Sequence, residues 1–138
     1  MLCQMIIRQT SDLDEIKRLD RMLFSADTPI NYAQSHWWLA KDGNKSVAYA
    51  GLKVVDKNLA FLSRAGVTQN ARGKGIHRRL IQVRTRWAWL HQLNTLITYT
   101  LVSNHPSSNN LIRTGFLLYD PEWAWVGRGV LYWIKTKV

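Results

Sequence analysis

Residues 67–78 read Val67-Thr68-Gln69-Asn70-Ala71-Arg72-Gly73-Lys74-Gly75-Ile76-His77-Arg78. A β-branched residue closes a strand, a polar turn follows, and two glycines lead into an amphipathic helix. A strand, a turn and a helix in mid-chain call for a mixed α/β domain. The junction also aims free backbone N–H groups, the positive end of a helix dipole and cationic side chains at one spot. It is an anion cradle, suited to a pyrophosphate.

The flanking pattern extends the alternation. Residues 3–8 read as a short strand. Thr10 or Ser11, followed by Asp12, Asp14 and Glu15, starts a helix with acids in its first turn, and Leu13, Ile16, Leu19 and Leu23 recur at helical spacing until Asp27-Thr28-Pro29 ends the unit. Residues 36–41 and 46–53 form strands around the hairpin turn Asp42-Gly43-Asn44, and a further strand spans 59–67. In the helix after the cradle, Ile76, Leu80, Val83, Trp87 and Leu90 form one buried stripe. Arg78, Arg79, Arg84 and Arg86 fall mostly outside it. A β-branched strand over 95–102, a short helix over 107–114 capped by Gly115, and final strands at 116–119 and 130–135 complete the order.

A chain of 138 residues, 46% hydrophobic, is long enough for one globular domain, 1–138, with a single core. The one cysteine, Cys3, has no partner within the chain, which points to an inert thiol in a reducing compartment, by default the cytoplasm. No apolar run approaches the roughly 18 residues of a membrane span, and no membrane partner is expected. The net charge of +10 is unevenly placed: residues 1–63 hold eight Lys/Arg and seven Asp/Glu, residues 64–138 eleven and two. The second half faces anions, whether a polyphosphate cofactor, a nucleic acid or solvent.

Two familiar phosphate motifs do not fit. A P-loop needs glycine where Thr68 stands and Ser or Thr where Gly75 stands. The dinucleotide fingerprint needs a small residue where Arg78 stands. What the segment resembles is the acetyl-CoA loop of the GCN5-related N-acetyltransferase (GNAT) family, Gln/Arg-x-x-Gly-x-Gly/Ala after the fourth strand. Arg72, Gly73, Lys74, Gly75 and Ile76 match, and His77 departs at the last small position. Asn104, Ser107, Leu111 and Gly115-Phe116 are similar to a second motif of that family, at the right distance.

The resemblance covers nearly the whole chain. It implies a mostly antiparallel sheet of six or seven strands, flanked by about four helices and splayed between strands four and five. It implies acetyl-CoA as co-substrate, with the backbone of Ala65, Gly66 and Val67 pairing with the pantetheine arm. The amides of residues 73–78 would hold the pyrophosphate, Arg72, Lys74 or Arg78 would reach other phosphates, and Asn104 would bond the arm or cap the next helix, or both. The reaction implied is direct attack of an amine on the thioester, with a strand-four amide, that of Val67, meeting the oxyanion.

The usual catalytic groups are missing. The position of the family's Tyr acid is Leu111, and that of a Glu base is Tyr99. Tyr99 becomes the candidate acid or water-holding group, with Ser103 and Ser107 behind it, although a strand Tyr packed at a sheet edge reads the same way. His36, His77, His91 and His105 are too dispersed for a metal site, and none is expected. His77 contacts phosphate or points outward, and His36 is a structural His or a proton acceptor. Of the seven Trp, Trp87 reads as core, while one member each of Trp37/Trp38 and Trp123/Trp125 should face outward. Two functions follow: an N-acetyltransferase acting on a small-molecule or protein amine, or a basic nucleic-acid-binding module on the same fold. A homodimer through residues 130–135 is also open.

Overall fold

The structure is a computed structural model and describes residues 5–28 and 30–138. Cys3 and Pro29 lie outside the described residues. The elements run β1 (Met5–Thr10), α1 (Leu13–Leu23), β2 (His36–Asp42), β3 (Lys45–Asp56), β4 (Leu59–Val67), α2 (Ile76–Leu90), β5 (Thr95–Leu101), α3 (His105–Arg113), β6 (Leu117–Leu118) and β7 (Val130–Thr136), with short 3-10 turns at Tyr32–Gln34 and Gln69–Ala71. The strands form one seven-stranded sheet in the order β1-β2-β3-β4-β5-β7-β6. Only β4 and β5 pair in parallel, as their connection through α2 requires.

Both faces of the sheet are covered, and the period-two alternation of β2 shows how. Trp37 and Leu39 pack with Ile16 and Leu19 of α1, together with Tyr32 and Tyr49. Trp38 and Ala40 face the other way, into the larger cluster with Ile76, Leu80, Ile81 and Ala88 of α2, Leu111 of α3 and Phe116. Trp37 and Trp38 are therefore both buried, at 1% and 4% exposure. The expected outward member of that pair does not exist, because a helix lies on each side. Asp12, rather than Thr10 or Ser11, caps α1 by accepting from the Glu15 N–H at 3.2 Å.

The stripe expected along α2 is also rotated from the real one. Its buried residues are Ile76, Leu80, Ile81, Arg84, Thr85 and Ala88, while Leu90 is 72% exposed. At roughly 100° per residue, Arg84 lies near the middle of that buried arc and Leu90 about 120° from it. The arginine expected on the outside is in the core.

Two irregularities open the sheet where the site lies. In β3 and β4, Ala50 faces Ala65 and Leu52 faces Leu62, so Gly51 alone opposes Ser63 and Arg64 in a β-bulge. A Cβ on Gly51 would lie 2.4 Å from Ser63 Oγ and 2.7 Å from the Trp37 ring, so only glycine fits. Beyond it, β4 and β5 pair only through Leu59–Thr95, Ala60–Leu96 and Phe61–Ile97. Past Phe61 the strands diverge, and the Thr98 hydroxyl donates across the start of the gap to the Leu62 carbonyl at 2.8 Å.

Candidate active site

The divergence makes a cleft of about 600 Å³ through the sheet. At one end it meets His77 and Ile81 of α2 with Asn104 and Ser107 at the start of α3; at the other it meets Asp27 and Ile30 in the segment after α1. Tyr99 and Phe61 form a wall between these ends, their rings stacked at 6.1 Å and backed edge-on by Trp125 at 5.9 and 5.4 Å. Tyr99 is 37% exposed. Trp123 is the outward member of the second tryptophan pair, at 71%.

The glycine turn sits above the α2 end. Gly75 takes φ +79° and caps α2 without a side-chain bond, and the first turn carries no acidic residue. The first helical bond runs from the Arg79 N–H to the Gly75 carbonyl, which leaves the amides of Ile76, His77 and Arg78 without helical acceptors. Gly73, at φ +75°, has open space where a side chain would stand. Arg72 donates its Nε to the Val67 carbonyl at 3.0 Å, tying the turn back to the end of β4. Lys74 is exposed and Arg78 half-buried.

His77 neither points outward nor stands free. Its Nδ1 lies 3.1 Å from Asn110 Nδ2 on α3, and burial first, then the Arg84 charge, lowers its pKa to about 4. It joins the two helices as a neutral ring. Asn104 caps α3 by accepting from the Ser107 N–H at 3.3 Å, the helix-capping role expected of it, and it lines the cleft as well. His36 meets Trp87 at a tilt with ring centroids 4.5 Å apart, away from the cleft, and burial followed by the His91 charge lowers its pKa.

Beneath the α1 end of the cleft lies a buried carboxylate. Asp20 is 2% exposed and accepts from Tyr32 Oη, from Tyr49 Oη at 2.5 Å and from Arg64 Nη1 at 2.8 Å. Arg64 also donates to the Thr28 carbonyl at 2.5 Å, so the bulge in β4 is pinned to α1 and its following loop. Burial, then the Asp20 contact, pushes both phenols up.

Three cleft residues carry no motif in the sequence: Asp27, the sole carboxylate on the lining, Ser63 and Arg84. They come from three elements far apart in the chain. Only the position of Arg84 between Leu80 and Ile81 on the helical wheel carries any signal. Among the described residues no cluster of His, Cys, Asp or Glu suits a metal ion.

A sheet wedged open beside a glycine-rich helix start defines the class of protein. The family model for GNAT acetyltransferases matches residues 2–116, and the chain belongs to that family. No curated protein matches it by sequence. Among solved structures, a Bacillus subtilis acetyltransferase in complex with CoA superposes with a TM-score of 0.80 at 13% identity, covering 97% of this chain and 99% of that one. A GNAT acetyltransferase from Elizabethkingia anophelis with acetyl-CoA bound gives 0.77 at 15% identity over 98% and 99%. The ribosomal-protein-S18-alanine N-acetyltransferase of Escherichia coli gives 0.77 at 17% identity over 96% and 93%. The seven-stranded sheet is the one expected of the fold, the parallel β4–β5 pair fits the expected splay, and the protein is an N-acetyltransferase of this family.

Proposed function

We propose that the protein moves an acetyl group from acetyl-CoA to an amine by direct attack. The observation that carries this reading is the coincidence of two unpaired backbone sets: the β5-facing side of β4 past Phe61, and the three free amides at the start of α2. The first suits an extended pantetheine arm along Ala65, Gly66 and Val67. The second suits the pyrophosphate, over which Gly73 and Gly75 let the backbone close. Lys74 and Arg78 reach outer phosphates, and Arg72 does so with the guanidinium nitrogens not spent on Val67. Ile76 and His77 contribute their amides, and Asn104 its side-chain amide from across the wedge.

With the arm covering Val67 and its neighbours, the thioester carbonyl at the arm's far end lies against β4 beyond Ala65, where a gap-facing strand-four amide meets the oxyanion. The amine arrives from the α1 side of the cleft and attacks as the free base. Its proton passes through water to Asp27, the carboxylate at that end. Tyr99, facing the gap from β5, holds that water or donates to the departing sulfur. A thiol with an ordinary pKa of about 8.5 leaves without full protonation, so proximity supplies much of the rate.

Acetyl-CoA at 100 times its Kd stabilises the fold by about 2.7 kcal/mol if it binds only the native state. A thermal-shift titration reads this directly, and Gly75→Glu, which puts a carboxylate in the cradle, abolishes the shift. A parent protein that does not shift with acetyl-CoA removes the cofactor assignment.

A further inference from the structure

Two buried polar groups in the cleft have no role in that reaction. Arg84 is 2% exposed, donates Nε to the Leu80 carbonyl at 3.0 Å and donates Nη1 to the Gly51 carbonyl at 2.8 Å. A guanidinium carries five N–H donors in one plane, so most of its outer edge is unspent. Among the described residues the ion pairs are Glu15–Arg18 and Asp20–Arg64; no carboxylate answers Arg84. The second group is Ser63 Oγ, buried and without a hydrogen-bond partner. Both line the same cleft and both close on Gly51, Arg84 through its carbonyl and Ser63 across the missing Cβ.

A buried charge and a buried hydroxyl without partners are each costly unless something completes them. We propose that Arg84 and Ser63 receive a carboxylate of the acceptor, so that the acceptor is an amine carrying a carboxylate close to its nitrogen, as an amino acid does. This rests on the acetyl-transfer reading for the placement of the amine. A planar guanidinium edge, with a hydroxyl across Gly51 in the same cleft, suits the two oxygens of a carboxylate. The local charge suits a monoanion, since Arg64 is already neutralised by Asp20 and His77 is held neutral. Place favours the acceptor over the donor. Ser63 lies on β4 beyond Ala65, away from the cradle and towards Phe61, on the way to the α1-side mouth where the amine enters. The Phe61–Tyr99 wall offers apolar area to the rest of that molecule.

The test compares acids with their own amides on the full chain. Thiol release from acetyl-CoA is followed with a panel of amino acids and the matching amino-acid amides, whose less basic amines would otherwise have the advantage. The expected result is a preference for the acids of about tenfold or more in kcat/KM. Arg84→Met removes the preference, chiefly through KM, and Ser63→Ala reduces it. Amides that perform as well as acids overturn the proposal. So does a preference for a dicarboxylic acyl-CoA with neutral amines, because the carboxylate then belongs to the donor. Should Arg84→Met not fold, the acid–amide comparison in the parent protein and Ser63→Ala decide. A binding arm separates this from the transfer reaction: with CoA present, phenylacetate raises the melting temperature and phenylacetamide does not. The absence of that difference overturns the carboxylate site whether or not acetyl-CoA is turned over, whereas failure of acetyl-CoA to bind or react counts against the proposed function alone.

Discussion

Asp20 and Arg84 are both 2% exposed and both charged, yet they are built into the sheet in opposite ways. Asp20 is met by two phenols and a guanidinium. Arg84 is met by two backbone carbonyls and nothing of opposite charge. Burial lowers the pKa of Arg84 to about 9, which leaves it protonated at neutral pH. The difference separates a clamp from a socket. The carboxylate's bonds are spent within the fold, holding α1 to the bulge, whereas the guanidinium keeps donors in reserve beside an open cleft.

If that distinction is right, removing the two charges has unequal effects. Asp20→Ala strips the partner from a buried guanidinium and two buried hydroxyls, and a loss of about 3–5 kcal/mol in urea unfolding is expected. A variant as stable as the parent breaks the clamp reading. The next effect is pH dependence through His77, whose folded pKa of about 4 lies below its unfolded value near 6.5. The unfolded chain binds the extra proton, so this contribution is full above about pH 6.5 and is lost as pH falls towards 4, by at most about 3 kcal/mol. Melting curves across that range show the slope, His77→Gln flattens it, and Arg84→Met moves it upward by removing the second cause. An Arg84→Met profile identical to the parent's argues that burial alone sets the pKa.

Tyr49→Phe sharpens the comparison from the other side. It removes one of three donors to Asp20 without removing the charge, and about 2 kcal/mol is expected by urea unfolding. The smallest effect belongs to Arg84→Met itself. It relieves a desolvated charge and orphans only the Gly51 carbonyl, so unfolding free energy should stay within about 1 kcal/mol of the parent. A loss as large as that of Asp20→Ala would make Arg84 a structural brace.

What could be read without the structure follows the reach of each signal along the chain. The span 59–67 is recovered as β4, and Gly115 takes φ +94° after α3, because turn residues and β-branched runs act locally. Gly73 and Gly75 likewise sit at positive φ where the cradle needs them. Apolar type alone does not locate the inner face of α2. The helix turns Arg84 inward, and its last residue, Leu90, falls about 120° round from it and stays exposed. Trp37 and Trp38 needed knowledge of both flanking layers. The cleft was hardest to foresee: Asp27, Ser63, Arg84 and Tyr99 share no spacing and meet only because a bulge and a short parallel seam part the strands.

That seam has a mechanical consequence. Three residue pairs and one side-chain bond join the half of the sheet bearing α1 to the half made by β5, β7 and β6. Two plates hinged along one short edge are stiffest when something rigid is wedged at the far edge. An extended arm threaded between them replaces the missing ladder and couples the plates. Hydrogen exchange at the gap-facing amides of β4 past Phe61 and of β5 past Ile97 should therefore slow together when acetyl-CoA is added, while exchange in β1 and β2 hardly changes.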